Sequence, residues 1–201
     1  GGAAVRIAAM GRGAQPSKAP DAYVETLFDQ HAEAFEDILV EQLGYAVPMM
    51  VRQRLQTLNL GPFKRLLDLG CGTGLTGEAL RDMADDITGI DISENMVEIA
   101  HEKDLYETLY VAEVEDFLED NDDEPFDIIT ATDVLPYLGA LEPLFFGAAE
   151  NLNAGGLPLN RYLVEIAVPD GARARGAVFS HDDKWVYAIA DTSGPNGRFT
   201  G

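Results

Sequence analysis

The spacing of apolar positions along the chain changes near residue 60. From Asp21 to Leu43 they recur at helical intervals (Tyr23, Leu27, Phe28, Phe35, Ile38 and Leu39), and after a break at Gly44 the same spacing returns from Ala46 to Leu58. Two helices are therefore expected before the first strand. From Phe63 onward, short apolar runs alternate with helical patterns. FKRLLDL, DITGIDI, ETLYVAEV and FDIITATDVL read as four strands. GLTGEALRDMA, SENMVEIAHEKDL and LEPLFFGAAENLNAGG read as helices, the second opened by Ser93 as its N-cap. The third places Leu141, Leu144, Phe145, Ala148 and Leu152 on one face and is expected to stop at Gly155 and Gly156. Alternation of this kind predicts an α/β fold, with a mostly parallel sheet covered by helices on both sides.

Composition narrows the possibilities. A chain of 201 residues, 46% hydrophobic, can bury one full core. No run of about 18 apolar residues is present, so no membrane segment is expected. Acids outnumber bases 35 to 14, giving a formal charge of −21. Nucleic-acid binders draw affinity from Lys and Arg neutralising phosphates, so a nucleic-acid partner is not expected, and the acidic surface reads as solvated. One such run begins at Glu113 and includes Glu115, Asp116, Glu119, Asp120 and Asp122 to Glu124. The single Cys71 leaves no internal disulfide and no multi-Cys metal site, so no metal is expected, and a reducing, cytoplasmic setting fits. Residues 1–20, rich in Gly and Ala, are expected to form a flexible tail.

LLDLGCGTGLTG, residues 66–77, holds four glycines in its last eight positions, between a strand end and a helix start. Glycines there permit a tight turn with positive φ and close approach of a ligand, and a helix N-terminus offers N–H groups to an anion. Gly72, Gly74 and Gly77 form GxGxxG, with Asp91 about 20 residues further on at the end of the second strand, as a nicotinamide-dinucleotide fold requires. Two features point to a different nucleotide cofactor. Asp68 precedes Gly70 where the dinucleotide fingerprint usually stays apolar, and a helical lead-in of roughly 40 residues is uncommon before a dinucleotide fold.

DLGCGTG as a whole resembles the first motif of class I S-adenosylmethionine-dependent methyltransferases, and the resemblance covers about Tyr23 to Gly156. ITGIDISENMVEIA looks like the family's second motif, YVAEVEDFL its third and FDIITATDVLPYLGALEPLF its fourth. The segment YVETLFDQHAEAFEDILVEQLGY resembles the lead-in of bacterial small-molecule methyltransferases associated with tetratricopeptide repeats, although this chain has no such repeats. The resemblance implies a Rossmann-like, open, doubly wound sheet of order 3-2-1-4-5, with an edge hairpin and an N-terminal helical lid over residues 21–60. The remaining 61–201 would form the catalytic domain.

The resemblance also implies site roles. Asp91 would hold the ribose hydroxyls, with Ile92 against adenine. Glu113 would face the adenine amino group, and the Val114 N–H would meet the ring. Thr132 and Asp133 would lie near the methionine part, and Gly70, Cys71, Gly72, Gly74 and Met96 would complete the cofactor contacts. Asp68 would either help receive the ammonium group or brace the loop without touching ligand. One carboxylate accepting two hydroxyls suits Asp91, although an acid before a helix can also act as a cap. Methyl transfer from a sulfonium is an in-line displacement, so the protein must chiefly align its reactants, and a base is needed only where the acceptor carries a proton. Tyr137 and Asp133 are the candidate catalytic residues, with Tyr23, Phe28, His31 and Tyr45 in the lid.

After Gly156 the resemblance weakens. GGLPLNRYLVEIAVP can supply a fifth strand, and AVFSHDDKWVYAIA reads as a hairpin turning at Asp182 and Asp183. That hairpin would replace the family's usual sixth and seventh strands. Alternatively GPNGRFTG is the loop before a missing last helix, the chain is truncated and its sheet edge is exposed. The expected activity is methyl transfer to a small-molecule acceptor, with S-adenosylhomocysteine as product. The alternatives are a nicotinamide oxidoreductase and a cofactor-binding module without turnover. Neither the acceptor nor the oligomeric state is legible in the sequence.

Overall fold

A computed structural model describes residues 20–38, 45–132, 134–138, 140–152, 173–180 and 186–191, the last two ranges as backbone only. Two lead-in helices, α1 (Asp21–His31) and α2 (Val47–Thr57), come before the sheet. A 3-10 turn at Ala32–Ala34 interrupts the first predicted helix, and residues 39–44 lie outside the described ranges. The sheet and its crossovers follow as β1 (Phe63–Leu69), α3 (Leu75–Leu80), β2 (Ala84–Asp91), α4 (Glu94–Glu102), β3 (Thr108–Val111), α5 (Val114–Asp120), β4 (Ile128–Thr132) and α6 (Glu142–Asn151). A final pair, β5 (Arg173–Ser180) and β6 (Val186–Asp191), is the expected hairpin.

The strand order is β3-β2-β1-β4-β5-β6. The first four strands run parallel, with Leu69 beside Ile90, Asp91 beside Val111 and Asp68 beside Thr130. This register brings the carboxyl ends of β1, β2 and β4 to one edge, where ligands bind in open α/β sheets.

Alternating side chains of the central strands feed two cores. Leu66, Ile87 and Ile128 pack under α2 and α3 with Val51, Leu55 and Leu80. Leu67, Leu69, Ile90 and Ile129 pack under α5 and α6 with Leu118, Leu144 and Ala148. The sheet is thus covered on both faces, as its near-continuous apolar strands require.

Three expectations change. The slot beside β4 is held by antiparallel β5, which pairs Thr132 with Gly176 and Ile128 with Ser180, so the expected parallel fifth strand is not the neighbour of β4. β4 is buried along its whole length, its outer N–H and C=O groups need partners, and the hairpin supplies them. The segment GGLPLNRYLVEIAVP itself lies outside the described residues. Next, α3 is a helix of six residues rather than eleven, ending before Arg81. Finally, α6 stops at Asn151, ahead of the glycines, because Leu152 turns extended and bridges to Phe126.

Candidate active site

β1 opens into the glycine loop through a series of left-handed residues. Gly70 and Gly72 have φ of +67° and +53°, and Gly74 follows at +93°. A Cβ on Gly70 would also stand 2.9 Å from Val134 Cγ2, so both conformation and space require glycine there. The Gly74 N–H donates to the Cys71 carbonyl (2.9 Å), closing the turn, and the Cys71 N–H donates to the Ile90 carbonyl (2.8 Å), tying the loop to β2.

Asp91, at the end of β2, reaches back to this loop. Its Oδ2 accepts from the Gly72 N–H and its Oδ1 from the Ser93 N–H, both at 2.9 Å. Burial pushes its carboxyl up from the usual range, and the backbone N–H groups of Ser93, Gly72 and Ile92 oppose that shift. Ser93 is the N-cap of α4, as its sequence position predicts. Its Oγ accepts from the Met96 N–H (3.2 Å) and donates to Asp29 Oδ1 (2.6 Å) on the lid helix α1. A second tie joins lid and α4 where Lys103 Nζ donates to Glu36 Oε1 (2.6 Å). Burial raises the Glu36 carboxyl, but Lys103 and the Thr73 hydroxyl together hold it below its ordinary value. Thr73 Oγ1 is buried in the loop and approaches Glu36 without a hydrogen bond of ordinary geometry.

Behind the loop sits Asp68, fully buried. Its Oδ2 accepts from the Tyr106 hydroxyl (2.8 Å) and its Oδ1 from the Thr130 hydroxyl (2.9 Å). Burial pushes this carboxyl up to about 7, against the two hydrogen bonds that favour its charge and with nearby Asp91 adding to the rise. The Tyr106 oxygen also accepts from the Gly77 N–H (3.1 Å). Burial, followed by the charges of Asp68 and Asp91, drives the free Cys71 thiol well above its usual range, so it serves here as a small apolar wall.

The carboxyl ends of the strands and the lid enclose an open cleft of about 870 Å³, its mouth included. Gly70, Cys71 and Gly72 of the loop line it together with Asp91, Ile92 and Met96. Glu113, Val114, Thr132 and Tyr137 also line it, with Tyr137 against Phe28 of the lid. Thr132 Oγ1 pairs with Thr76 Oγ1 at 2.7 Å in a buried hydroxyl couple.

Two expected positions depart from this set, and a third lies outside the described residues. Asp68 and Gly74 do not line the cleft: Asp68 braces the loop from behind, and Gly74 packs against Tyr106 and Ala100. Asp133 lies outside the described residues. Glu113 lines the cleft but is also the N-cap of α5, its Oε2 accepting from the N–H groups of Glu115 (2.7 Å) and Asp116 (3.1 Å). Four orphan N–H groups at a helix start account for that engagement.

In the lid, Phe28 and Tyr45 line the cleft, whereas Tyr23 and His31 do not. His31 is exposed, with Nδ1 2.7 Å from the Leu27 carbonyl oxygen. Phe35, which sequence reasoning placed only on the helix face, also lines the cleft. Phe28 stands edge-on to Phe35 (6.0 Å between centroids) and to Tyr137 (5.1 Å), making an aromatic roof. Its signal was available, since Phe28 and Phe35 lie seven residues apart and share a helix face. Val134 and Leu138, after β4, complete that side, and nothing in their spacing marks them as site residues.

The donor set discriminates between cofactors. A dinucleotide pyrophosphate rests on free N–H groups of the loop and helix start. Here the Gly72 N–H is taken by Asp91 and the Gly77 N–H by Tyr106, and α3 is short. The Asp91 carboxylate also brings negative charge to the loop, which opposes an anion and suits hydroxyls and cations.

Residues 67–157 match the family model described as a methyltransferase domain. The match runs from within β1 past the end of α6. This stretch is similar to methyltransferase domains and carries the Rossmann-like parallel sheet described above. Among curated proteins, the chain is similar to the ubiquinone biosynthesis O-methyltransferase of Hydrogenovibrio crunogenus, 30% identical over 97 residues, covering 46% of this chain and 40% of that protein. It is also similar to the enzyme of that description from Glaesserella parasuis, 34% identical over 82 residues, covering 37% of this chain and 35% of the relative. The matched part thus spans about two fifths of the length of these curated relatives. Among solved structures, magnesium protoporphyrin IX methyltransferase from Synechocystis PCC 6803 with bound SAM superposes with a TM-score of 0.55 at 18% identity, over 71% of this chain and 74% of that one. A DhpI complex with SAM and HEP gives 0.54 at 20% identity, over 83% and 79%. At these identities the likeness establishes the fold.

Proposed function

We propose that this protein transfers a methyl group from S-adenosylmethionine to a small-molecule acceptor, leaving S-adenosylhomocysteine. The observation that carries the reading is the Asp91 carboxylate, which grips the glycine loop and lines the cleft with lone pairs to spare. A carboxylate offers about four acceptor sites, enough for the backbone bonds it makes and for ribose hydroxyls. Ile92, Met96 and Val114 supply an apolar wall for a flat base, with Glu113 at its edge. Gly70, Cys71 and Gly72 let a ligand lie against backbone, since a Cβ on Gly72 would meet only Phe35 Cε1 at 3.9 Å.

The bound cofactor supplies an electrophilic methyl carbon on a sulfonium. What remains to the chain is alignment and the exclusion of water. Phe28, Phe35 and Tyr137 cover the cleft for the second purpose, and the Thr76–Thr132 couple holds the base of that side. Tyr137 and Asp133 are the groups we assign to the acceptor and its proton. The names of the curated relatives specify oxygen as the atom methylated in those proteins, so oxygen acceptors are the first to test, with carboxyl and nitrogen acceptors next.

The lead-in helix supports placement among bacterial small-molecule methyltransferases with the tetratricopeptide-associated lead-in. The acidic surface supports an acceptor other than nucleic acid, and the free buried thiol supports a reducing, cytoplasmic setting. Among the described residues no helix is long and apolar enough to cross a membrane.

Calorimetric titration with S-adenosylhomocysteine and with NADH tests the cofactor: binding of the first is expected, and binding of NADH alone would overturn the reading. Product formation across an acceptor panel separates an enzyme from a binding module.

A further inference from the structure

The GxGxxG motif contains a glycine that the cofactor reading does not use. Gly77 lies inside α3, away from the cleft, and its added Cβ would stand 2.5 Å from Tyr106 Cζ. Two other glycines border the same ring, Gly89 of β2 with 2.7 Å to Cε1 and Gly74 with 3.2 Å to Cε2. The chain has removed three side chains to seat one tyrosine between β2 and α3.

The hydroxyl of that tyrosine is placed with equal economy. It donates to Asp68 Oδ2 at 2.8 Å and accepts from the Gly77 N–H at 3.1 Å. Asp68 is the next-to-last residue of β1, and Gly77 is in the first turn of α3. One oxygen therefore links the two ends of the loop that lies between them, Gly70 to Gly74. A covalently stiff ring wedged among glycines fixes where that oxygen sits, which a flexible side chain could not do.

We propose that Tyr106 is the positioning residue of the cofactor loop, its hydroxyl spanning from Asp68 to Gly77 so that the loop floor is held ready to receive S-adenosylmethionine. The proposal rests on the cofactor reading above and adds a residue that touches neither ligand nor reacting atoms. The charge state of Asp68 decides the strength of the tie. The polar groups facing Asp68 are Tyr106 before β3, Thr130 on β4, Cys71 in the loop and Asp91 at the end of β2. An ionised Asp68 is the better acceptor for the Tyr106 hydroxyl, because charged hydrogen bonds are about twice as strong as neutral ones.

Tyr106→Phe keeps the ring and removes the tie. Two measurements on the full chain read it: amide hydrogen exchange in the free protein, and calorimetric affinity for S-adenosylhomocysteine. The expected result is lost protection at the Gly77 amide and its loop neighbours, protection of β1 and β4 unchanged, and affinity weaker by about tenfold. In the wild type, the Gly77 amide resonance is expected to titrate with Asp68, which needs no variant at all. Unchanged affinity together with unchanged exchange would overturn the proposal and leave Tyr106 as packing. So would a Gly77 resonance that ignores the ionisation of Asp68. If wild type binds no S-adenosylhomocysteine but Tyr106→Phe still frees the loop amides, the tie stands and the cofactor reading is what falls.

Discussion

A Cβ added at Gly72 would meet only the edge of Phe35, 3.9 Å away, whereas one added at Gly77 would meet the Tyr106 ring at 2.5 Å. The front of the loop, Gly70 to Gly72, turns left-handed and leaves its outer side to the cleft. The back, Gly74 to Gly77, passes into α3 and is filled by the protein itself. The same residue type thus serves a ligand at one end and a neighbouring side chain at the other. Their carboxylates differ likewise. Asp91 in front accepts from loop backbone and lines the cleft, while Asp68 behind accepts from two side-chain hydroxyls and does not.

The largest effect expected from this contrast is a pH dependence of stability. An aspartate near 3.9 in the unfolded chain and about 7 in the fold leaves the folded state holding more protons between those values. Its contribution is complete below pH ~4 and is lost as pH rises through ~7, by on the order of 4 kcal/mol in all. Asp91, also raised by burial, adds a slope of the same sign. Urea melts from pH 4 to 8 should show stability falling with pH, and Asp68→Asn should flatten most of the slope. A slope untouched by that variant would mean the penalty of the buried charge lies in front, with Asp91.

Next in size is the front carboxylate. Asp91→Ala removes the partner of the Gly72 and Ser93 N–H groups, and is expected to weaken S-adenosylhomocysteine binding about a hundredfold. Calorimetry measures this directly, and wild-type affinity in the variant would remove Asp91 from the ligand's contacts.

A paired substitution at the two glycines follows. Alanine inside a helix ordinarily stabilises by about 1 kcal/mol relative to glycine, but Gly77→Ala should destabilise by about 1–3 kcal/mol because the Tyr106 ring occupies the space. Gly72→Ala should lower stability by about 1–2 kcal/mol through its left-handed φ and give its larger effect in lost binding. Thermal melts and titrations on both variants check this, and a stabilising Gly77→Ala would mean that the Tyr106 ring does not need the space.

The smallest effect is expected at the lid. Asp29→Ala removes the acceptor for the Ser93 hydroxyl while Ser93 keeps its capping bond to Met96. Faster release of S-adenosylhomocysteine, by about threefold to tenfold, should appear in stopped-flow displacement. No change in release would mean that the remaining ties, Asn95 Nδ2 to the Asp29 carbonyl, Glu36–Lys103 and the aromatic roof, hold the lid.

Much of this arrangement was legible in the chain. The change from helical spacing to short apolar runs near residue 60 located the lead-in and the first four strands; burial on both faces keeps β4 and most of β1 apolar, whereas β3 is a largely exposed edge. β1 coincides with FKRLLDL, and Ser93 caps α4 as its side-chain chemistry predicts. The positions of Asp68 and Glu113 in the cofactor motifs were visible, but not which way they would be used. Asp68 found its partners in Tyr106 and Thr130, 38 and 62 residues away, and Glu113 turned to its own helix. Phe35 was seen as an apolar helix position, and only the fold turned it toward the cleft.

Local physics alone therefore writes the α/β alternation, the left-handed glycine turn, the cap of α4 and the acid at the end of β2. Direction and occupancy came from long-range packing: β5 runs antiparallel beside β4, Asp68 lies behind the loop, and Gly77 makes room for a tyrosine. The reason is that turns, caps and periodicity depend on neighbours a few residues apart. The use of a buried carboxylate or a missing side chain depends on whatever distant group arrives to fill the space.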